Sequence, residues 1–241
     1  MPKNTSLADW EQVLSAAARL QQLLPDAVLV GGTASAIHAR HRFSRDADHI
    51  LPGLREHFDE ILAQLESVAG WKTARLQRPV QILGSLDGIE TGIRHLIREQ
   101  PLETTVVHYG GQAITVPTKD EILRIKSALI LKRNATRDYL DFVALADQLG
   151  EEKTAHALSD FDRLYPQAND QSALQQLQIQ LANPLPYDLE ETKLTEYKNL
   201  APKWQDWKTV KTACNRCARI VFDSVAALEQ KRAQKDQAGL D

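Results

Sequence analysis

The sequence predicts an α+β fold. A small mixed sheet with helices on at least one face occupies residues 1–117, and a helical domain occupies residues 118–241. Three observations predict it. A short apolar run, Ala27-Val28-Leu29-Val30, ends in Gly31-Gly32. Asp87-Gly88 and Gly110-Gly111 each separate two strand-like segments, the signature of a tight hairpin turn. From Thr118 onward the apolar spacing is helical.

The elements follow in order. Ser6 with Asp9 resembles a capping box opening a helix to about Leu24, which Pro25-Asp26 breaks. Ala27–Val30 reads as a buried strand, Thr33 to about Arg40 as a helix, and Asp46–Leu51 as a second strand. Leu54–Ala69 has helical spacing through Leu54, Phe58, Ile61, Leu62 and Leu65. Val80–Leu86 pairs with Ile89–Leu96, and Thr104–Tyr109 with Gln112–Val116. Thr118 and Glu121 form a capping box for a helix over Lys119–Arg133, and Thr136 caps another through Gln148. Residues 151–185 read as helical, Asn183-Pro184-Leu185-Pro186 as a breaker, and helix resumes to about Lys235 with Pro202 interrupting. The last few residues are polar and expected to fray.

With 241 residues and 43% hydrophobic content, the chain can bury a full core and two packed units. A net charge of −3 argues against a generally basic nucleic-acid coat. No apolar run approaches the roughly 20 residues of a membrane span. The stretch Met1–Ser6 lacks a secretory apolar segment, and two cysteines make no disulfide framework. A soluble, cytoplasmic protein is expected.

Gly31-Gly32 lets backbone N–H groups approach a phosphate with no Cβ in the way, and the following helix adds a favourable dipole. On the strand from Asp46, alternation places Asp46, Asp48 and Ile50 on one face and Ala47, His49 and Leu51 on the other. Two carboxylates so placed can share Mg2+, which favours a few carboxylates with phosphate oxygens and water. Such ions polarise the α-phosphate and neutralise the leaving pyrophosphate. A glycine pair alone is usually a turn, and Asp-x-Asp alone a solvated edge. The order strand, Gly-Gly, helix, strand with paired acids is far less common by chance.

Val30-Gly31-Gly32-Thr33-Ala34 through Arg42-Phe43-Ser44-Arg45-Asp46-Ala47-Asp48 resembles the first motif of the DNA polymerase β-like nucleotidyltransferase superfamily. The Arg-x-Ser-x-Asp-x-Asp spelling is similar to the AbiEii/AbiGii toxin family. The resemblance spans about residues 25–150. It implies a polymerase β-like nucleotidyltransferase domain followed by helices, and an Mg2+-dependent transferase moving NMP from an NTP. The implied acceptor is RNA such as tRNA, or a protein, and a toxin of this kind is held by a cognate antitoxin.

A second block is independent of the first. Lys126 lies inside the stripe Ile122, Ile125, Leu129 and Ile130, with Arg133 beyond it. A lysine there is costly to bury unpaired, or it snorkels with its stem on the core. Arg137 and Asp141 are spaced for an i,i+4 salt bridge, and Asp138 sits where the helix dipole favours an acid. Lys126 through Arg133, Arg137-Asp138 and Asp141 resembles the second conserved block of the AbiEii-like family. That resemblance makes Asp46, Asp48, Lys126 and Asp138 the catalytic candidates: Lys126 to neutralise the phosphates, Asp138 to activate the acceptor or support metal. Gly31, Gly32, Thr33, Ser44 and Arg133 are the nucleotide-binding candidates.

The pattern departs from the superfamily at its third carboxylate. Glu90, sharing a strand face with Gly92 and Arg94, is the best substitute and joins Asp46 and Asp48 as a metal candidate; Asp87 is expected in the turn. A catalytically inactive nucleotide- or partner-binding module on the same fold is therefore the alternative function. Cys214 and Cys217 read as ordinary thiols, since one C-x-x-C does not make a zinc site. His38 and His41 are expected at the surface, and Trp204 and Trp207 in packing. Residues 193–220 carry seven Lys or Arg against two Asp or Glu, which suits RNA contacts or a solvated helix face equally.

Overall fold

The computed structural model describes residues 5–168 and 171–238. The side chain of Ser6 and residues 239–241, the expected cap and frayed end, lie outside the described set. The chain divides into two compact units, Met1–Ile122 with Tyr197–Leu200, and Leu123–Glu196 with Ala201–Asp241.

In the first unit, helix α1 (Thr5–Leu23) precedes strand β1 (Val28–Leu29), α2 (Gly31–Ala39) and β2 (Ala47–Ile50). A short 3-10 turn (Pro52–Leu54) leads to α3 (Phe58–Glu66), then β3 (Trp71–Gln77), β4 (Gln81–Leu86) and β5 (Ile89–Arg94). The five strands form one mixed sheet in the order β1-β2-β5-β4-β3. Only the β2–β5 pair is parallel. Asp87 (φ +54°) and Gly88 (φ +82°) both take left-handed backbone, as a two-residue turn between β4 and β5 requires. Gly110 and Gly111 do the same between β6 (Thr104–Tyr109) and β7 (Gln112–Pro117), which form a separate two-stranded sheet.

Strand β3 was not legible as a strand. Its pairing shifts register between Thr73 and Arg75, so Ala74 is an extra residue. That bulge breaks the period of two on which strand recognition rests, and leaves Trp71 and Leu76 on the same side five residues apart.

One face of the sheet is apolar. Ile82, Leu86 and Ile93 pack with Trp71, Leu20 and Leu24 of α1, and Phe58, Ile61, Leu62 and Leu65 of α3. A second cluster joins Val13, Leu14 and Ala17 of α1 to Ala47 behind β2 and to Ile114 and Val116 of the β6–β7 hairpin. The other face bears Asp48, and it is set by register, because directly paired residues share a side.

The second unit takes most of α4 (Lys119–Arg133), then α5 (Thr136–Leu149), α6 (Glu151–Leu158), α7 (Phe161–Leu164), α8 (Ala173–Ala182) and α9 (Trp207–Ala238). The chain breaks at Asn183-Pro184-Leu185-Pro186 as expected, but residues 187–206 stay largely irregular, with two 3-10 turns, where resumed helix was expected; Pro202 removes a helical donor within them. Two caps also differ. Ala135 precedes α5 in extended conformation, and Asp188 accepts hydrogen bonds from Thr136 N at 2.7 Å and Thr136 Oγ1 at 2.8 Å. Thr136 is thus the capped residue rather than the cap. Thr118 Oγ1 does accept from Glu121 N, at 3.2 Å. The return bond of a capping box is absent because Thr118 N donates to Glu103 O and the Glu121 carboxylate pairs with Arg98 at 2.8 Å. Asn134 (φ +48°) gathers the turn between α4 and α5, accepting from Tyr139 and Gln180 and donating to Leu185 O.

Candidate active site

Strand β2 is buried at Ala47 and His49 and half-open at Asp48 and Ile50, with Asp46 half-open just before it. The alternation expected of this segment therefore holds, and Asp46 and Asp48 emerge on the polar face. Val30 N donates to Asp48 O at 2.8 Å, which draws the Gly31-Gly32 turn alongside the second acid. Gly31 takes φ +71°, and a Cβ there would stand 3.6 Å from Asp48 Cβ. The glycine pair and the acids are one local feature.

Three residues shape the carboxylates. Thr33 Oγ1 donates to Asp46 O at 2.5 Å, and Ser44 Oγ donates to Asp46 Oδ1 at 2.5 Å. One hydroxyl thus fixes the backbone of Asp46 and the other its carboxylate. Gly92 faces Asp48 across the parallel β2–β5 ladder. A Cβ on Gly92 would overlap Asp48 Oδ1 and stand 3.0 Å from Leu83 Cδ2. Gly92 therefore clears the space that the Asp48 carboxylate occupies, a role that its place in the sequence did not reveal. Arg94, two residues on, approaches Asp48 Oδ1 at 4.0 Å.

Arg42 is a further residue that motif reading passed over. It is buried, and a Cβ on Gly32 would fall 2.5 Å from its guanidinium and 2.9 Å from Ser44 Oγ. Its guanidinium lies 5.6 Å from the Tyr197 ring, and Lys198 O accepts from Phe43 N at 2.8 Å. Residues 197–200 thus return to the first unit and brace the segment before Asp46. The available signal was the arginine of the Arg-x-Ser-x-Asp-x-Asp spelling itself.

Asp46 and Asp48 suit a hard divalent cation: both are carboxylates, they share a face, and Gly31 and Gly92 leave room around Asp48. Glu90 is exposed, and it stands one position before Thr91, the partner of Ala47, so it shares the face of Asp46. Among the described residues no group of three His, Cys, Asp or Glu side chains stands close enough to hold a metal. Glu90 is not gathered with the other two acids.

In the second unit, the helical block forms a buried ion cluster. Lys126 is 1% exposed, with Nζ 2.6 Å from Asp141 Oδ2 and 3.3 Å from Asp138 Oδ1. Arg133 donates from Nε to Asp138 Oδ2 at 2.5 Å and from a terminal nitrogen to Oδ1 at 2.7 Å, a bidentate grip. Asp138 and Asp141 are fully buried, and Arg133 keeps 36% of its side chain exposed. Two acids and two bases balance, which is the condition for burying them. Asp141 pairs with Lys126 of the preceding helix, a partner that the i,i+4 spacing to Arg137 did not suggest. Arg133 is the member of the cluster that faces solvent.

The remaining residues divide clearly. His38 is half-buried and His41 buried, where surface positions were expected. His38 Nε2 lies 2.7 Å from Pro117 O and burial lowers its pKa. Cys214 and Cys217 are buried free thiols; burial pushes Cys217 up to about 12 and Cys214 well above its ordinary value. Trp204 is buried, and Trp207 meets Tyr139 edge-on at 6.0 Å, so both pack. The basic stretch 193–220 is partly neutralised: Lys193 pairs with Glu196, Lys198 with Asp9, and Lys203 and Arg216 with Asp147.

His49, on the buried side of β2, carries a pH prediction. Burial lowers its pKa to about 4 from 6.5, with the Ala47 carbonyl opposing part of the shift. The unfolded chain binds a proton below 6.5 that the fold rejects until about 4. The contribution is therefore complete above 6.5 and is lost as pH falls toward 4, about 3 kcal/mol over that window. Urea denaturation at intervals across it should show this slope in the wild type and a shallower one in His49→Leu. Equal slopes would refute the assignment.

The profile of the family described as nucleotidyl transferase AbiEii toxin, type IV toxin–antitoxin system, matches residues 12–226. A crystal structure of a proposed nucleotidyltransferase from H. pylori superposes with a TM-score of 0.54 at 16% identity, covering 94% of this chain and 98% of that one, and so shares the fold. The heme uptake protein MmpL11 of Mycobacterium tuberculosis is 30% identical over 241 residues, 93% of this chain. The mycolic acid-containing lipids exporter MmpL11 of Mycolicibacterium smegmatis is 31% identical over 138 residues, 56% of this chain. This chain spans 23% of the first of those proteins and 13% of the second. Among the described residues no helix is long and apolar enough to cross a membrane.

Proposed function

The chain belongs to the AbiEii nucleotidyltransferase toxin family, and from that premise we propose that it transfers NMP from an NTP to a hydroxyl of a macromolecular acceptor. The observation that carries this is the Asp46 and Asp48 pair on one open face beside the Gly31-Gly32 turn. In the reaction, the acceptor oxygen bonds the α-phosphorus, the bond from that phosphorus to the bridging oxygen breaks, and pyrophosphate leaves. The acceptor's proton passes to solvent or to a carboxylate on that face. Asp46 and Asp48 would hold Mg2+, with Glu90 as a further carboxylate on the same side. When bound, Mg2+ supplies charge neutralisation at the phosphates and lowers the pKa of the attacking hydroxyl. Gly31 and Gly32 offer backbone N–H groups to the phosphates at the start of α2, Thr33 and Ser44 keep Asp46 in place, and Arg42 adds positive charge beside Gly32.

In the second block, Arg133 is the partly exposed cation and the candidate there for a phosphate contact, with its guanidinium held by Asp138 and Asp138 in turn held by Lys126. Both oxygens of Asp138 already accept from Arg133, which favours a holding role over proton abstraction. A cognate antitoxin would act as the regulatory partner.

Incubation with each α-labelled NTP and total cellular RNA or protein tests this. Label should enter an acceptor with the wild type and disappear in Asp46→Ala, Asp48→Ala. Transfer that survives in the double variant would place the chemistry elsewhere. A binding module without turnover is the second reading, favoured by the separation of Glu90 from the other acids. It predicts NTP binding by calorimetry with no labelled acceptor.

A further inference from the structure

Sheet edges expose unpaired N–H and C=O groups, and a chain that stays alone blunts them. The first unit blunts three of its edges. Strand β1 is only two residues long. Strand β3 carries a bulge and the exposed Lys72 and Arg75. Strand β7 is closed by a side chain: Gln21 Nε2 donates to Thr115 O at 2.8 Å, and Thr115 N donates to Gln21 Oε1 at 2.8 Å. Strand β6 has none of these devices. It runs Thr104-Thr105-Val106-Val107-His108-Tyr109 in unbroken register with β7, and among the described residues no third strand joins that sheet.

Register tells which backbone groups of β6 are open. Val106 pairs with Thr115, whose N–H and C=O turn away from β6 to Gln21. In an antiparallel ladder such a pair exchanges no hydrogen bonds, so the N–H and C=O of Val106 turn outward as well. Thr104 and His108, two residues to either side, do the same. All three residues are exposed, Val106 by 53%. The edge is also uncharged: residues 104–117 contain no Asp, Glu, Lys or Arg, in a chain that is 25% charged. A regular, β-branched edge without charge is a template for another strand.

We propose that β6 is a dimerisation edge, on which a second copy of this chain lays its own β6 antiparallel about a two-fold axis at Val106. Val106 then meets itself across the axis and Thr104 meets His108, each pair exchanging two backbone hydrogen bonds. No other register engages all three open residues. The open positions are symmetric about Val106, so the strand that complements this edge is the edge itself, and one contact closes both copies. With no formal charge on the strand, no like charges oppose each other at the axis. Six residues a side is well under the roughly 20–30 of a standard interface, so the dimer is weak and depends on concentration. The inference is independent of the transferase reading.

Analytical ultracentrifugation of the full chain across rising concentration tests this. The wild type should pass from monomer to dimer. Val106→Pro removes an outward N–H and leaves the bonds to β7, so it should weaken dimerisation on the order of 10-fold or more. Val106→Lys places two like charges across the axis and should weaken it more at low salt than at high. Oxidation of cysteine variants reads the register, since Cys214 and Cys217 are buried. Val106→Cys should link two copies, because directly paired Cα atoms stand about 5.5 Å apart, within disulfide reach. His108→Cys should not, because it faces a threonine and its own counterpart lies roughly 13 Å along the strand. A wild type that stays monomeric up to its solubility limit would overturn the proposal. So would a dimer that both Val106→Pro and Val106→Lys leave intact, or equal linking of the two cysteine variants.

Discussion

Lys126→Ala should destabilise the protein by roughly 3–5 kcal/mol, because it leaves Asp138 and Asp141 buried without their ammonium partner. Both carboxylates are fully buried, so water cannot replace the lost contact. Arg133 still grips Asp138 from the exposed side, while Asp141 loses an ammonium that stands 2.6 Å away. Part of the loss should return when the acids are neutralised together, as in Lys126→Met with Asp138→Asn and Asp141→Asn, because apolar or neutral replacements remove the stranded charge. Urea denaturation of the three proteins checks this. A loss below about 1 kcal/mol, the scale of a surface pair, would mean that the cluster is not buried as described.

Gly92→Ala has its largest effect on activity. The added Cβ collides with the Asp48 carboxylate, the free end of a short side chain, so the carboxylate shifts and the strand does not. A displacement near 1 Å at a reacting centre costs on the order of 100-fold in rate. Transfer should fall by about that factor, and stability should change little. Gly84→Ala on the adjacent strand makes the contrast. There the Cβ would stand 2.6 Å from the Lys72 backbone oxygen and 2.7 Å from the Trp71 ring, so the cost falls on the apolar face. Gly84→Ala should unfold more easily while its folded fraction keeps transfer. If Gly92→Ala keeps full activity, Asp48 is not held where the chemistry needs it.

These cases mark where the sequence was readable. Asp87-Gly88 and Gly110-Gly111 announced their hairpins because their backbone conformations are available to few residues. The Asp46 and Asp48 face followed from simple alternation on a strand buried on one side. The polymerase β-like fold class and the family were legible from two short blocks. Strand β3 was not, because the bulge at Ala74 erased its period. Gly92 carried no signal of its own, since its job is defined by Asp48, forty-four residues earlier and opposite it only in the ladder. Lys126 in an apolar stripe was read as a lysine for the phosphates or a snorkelling one, and it lies buried against Asp138 and Asp141. Its pairing with Asp141 depended on how α4 meets α5, which spacing along one helix does not encode. His38 and His41 were assigned to the surface by default because their burial arises from contacts outside α2.

The central claim is nucleotidyl transfer at the Asp46 and Asp48 face, and the position of the label tests it most directly. The protein is incubated with Mg2+, cellular RNA and protein, and the same NTP labelled at either the α- or the γ-phosphate. The account predicts that α-label enters an acceptor, that γ-label is released as pyrophosphate, and that neither is transferred by Asp46→Ala, Asp48→Ala. Entry of γ-label into the acceptor, or α-label transfer by the double variant, would contradict it.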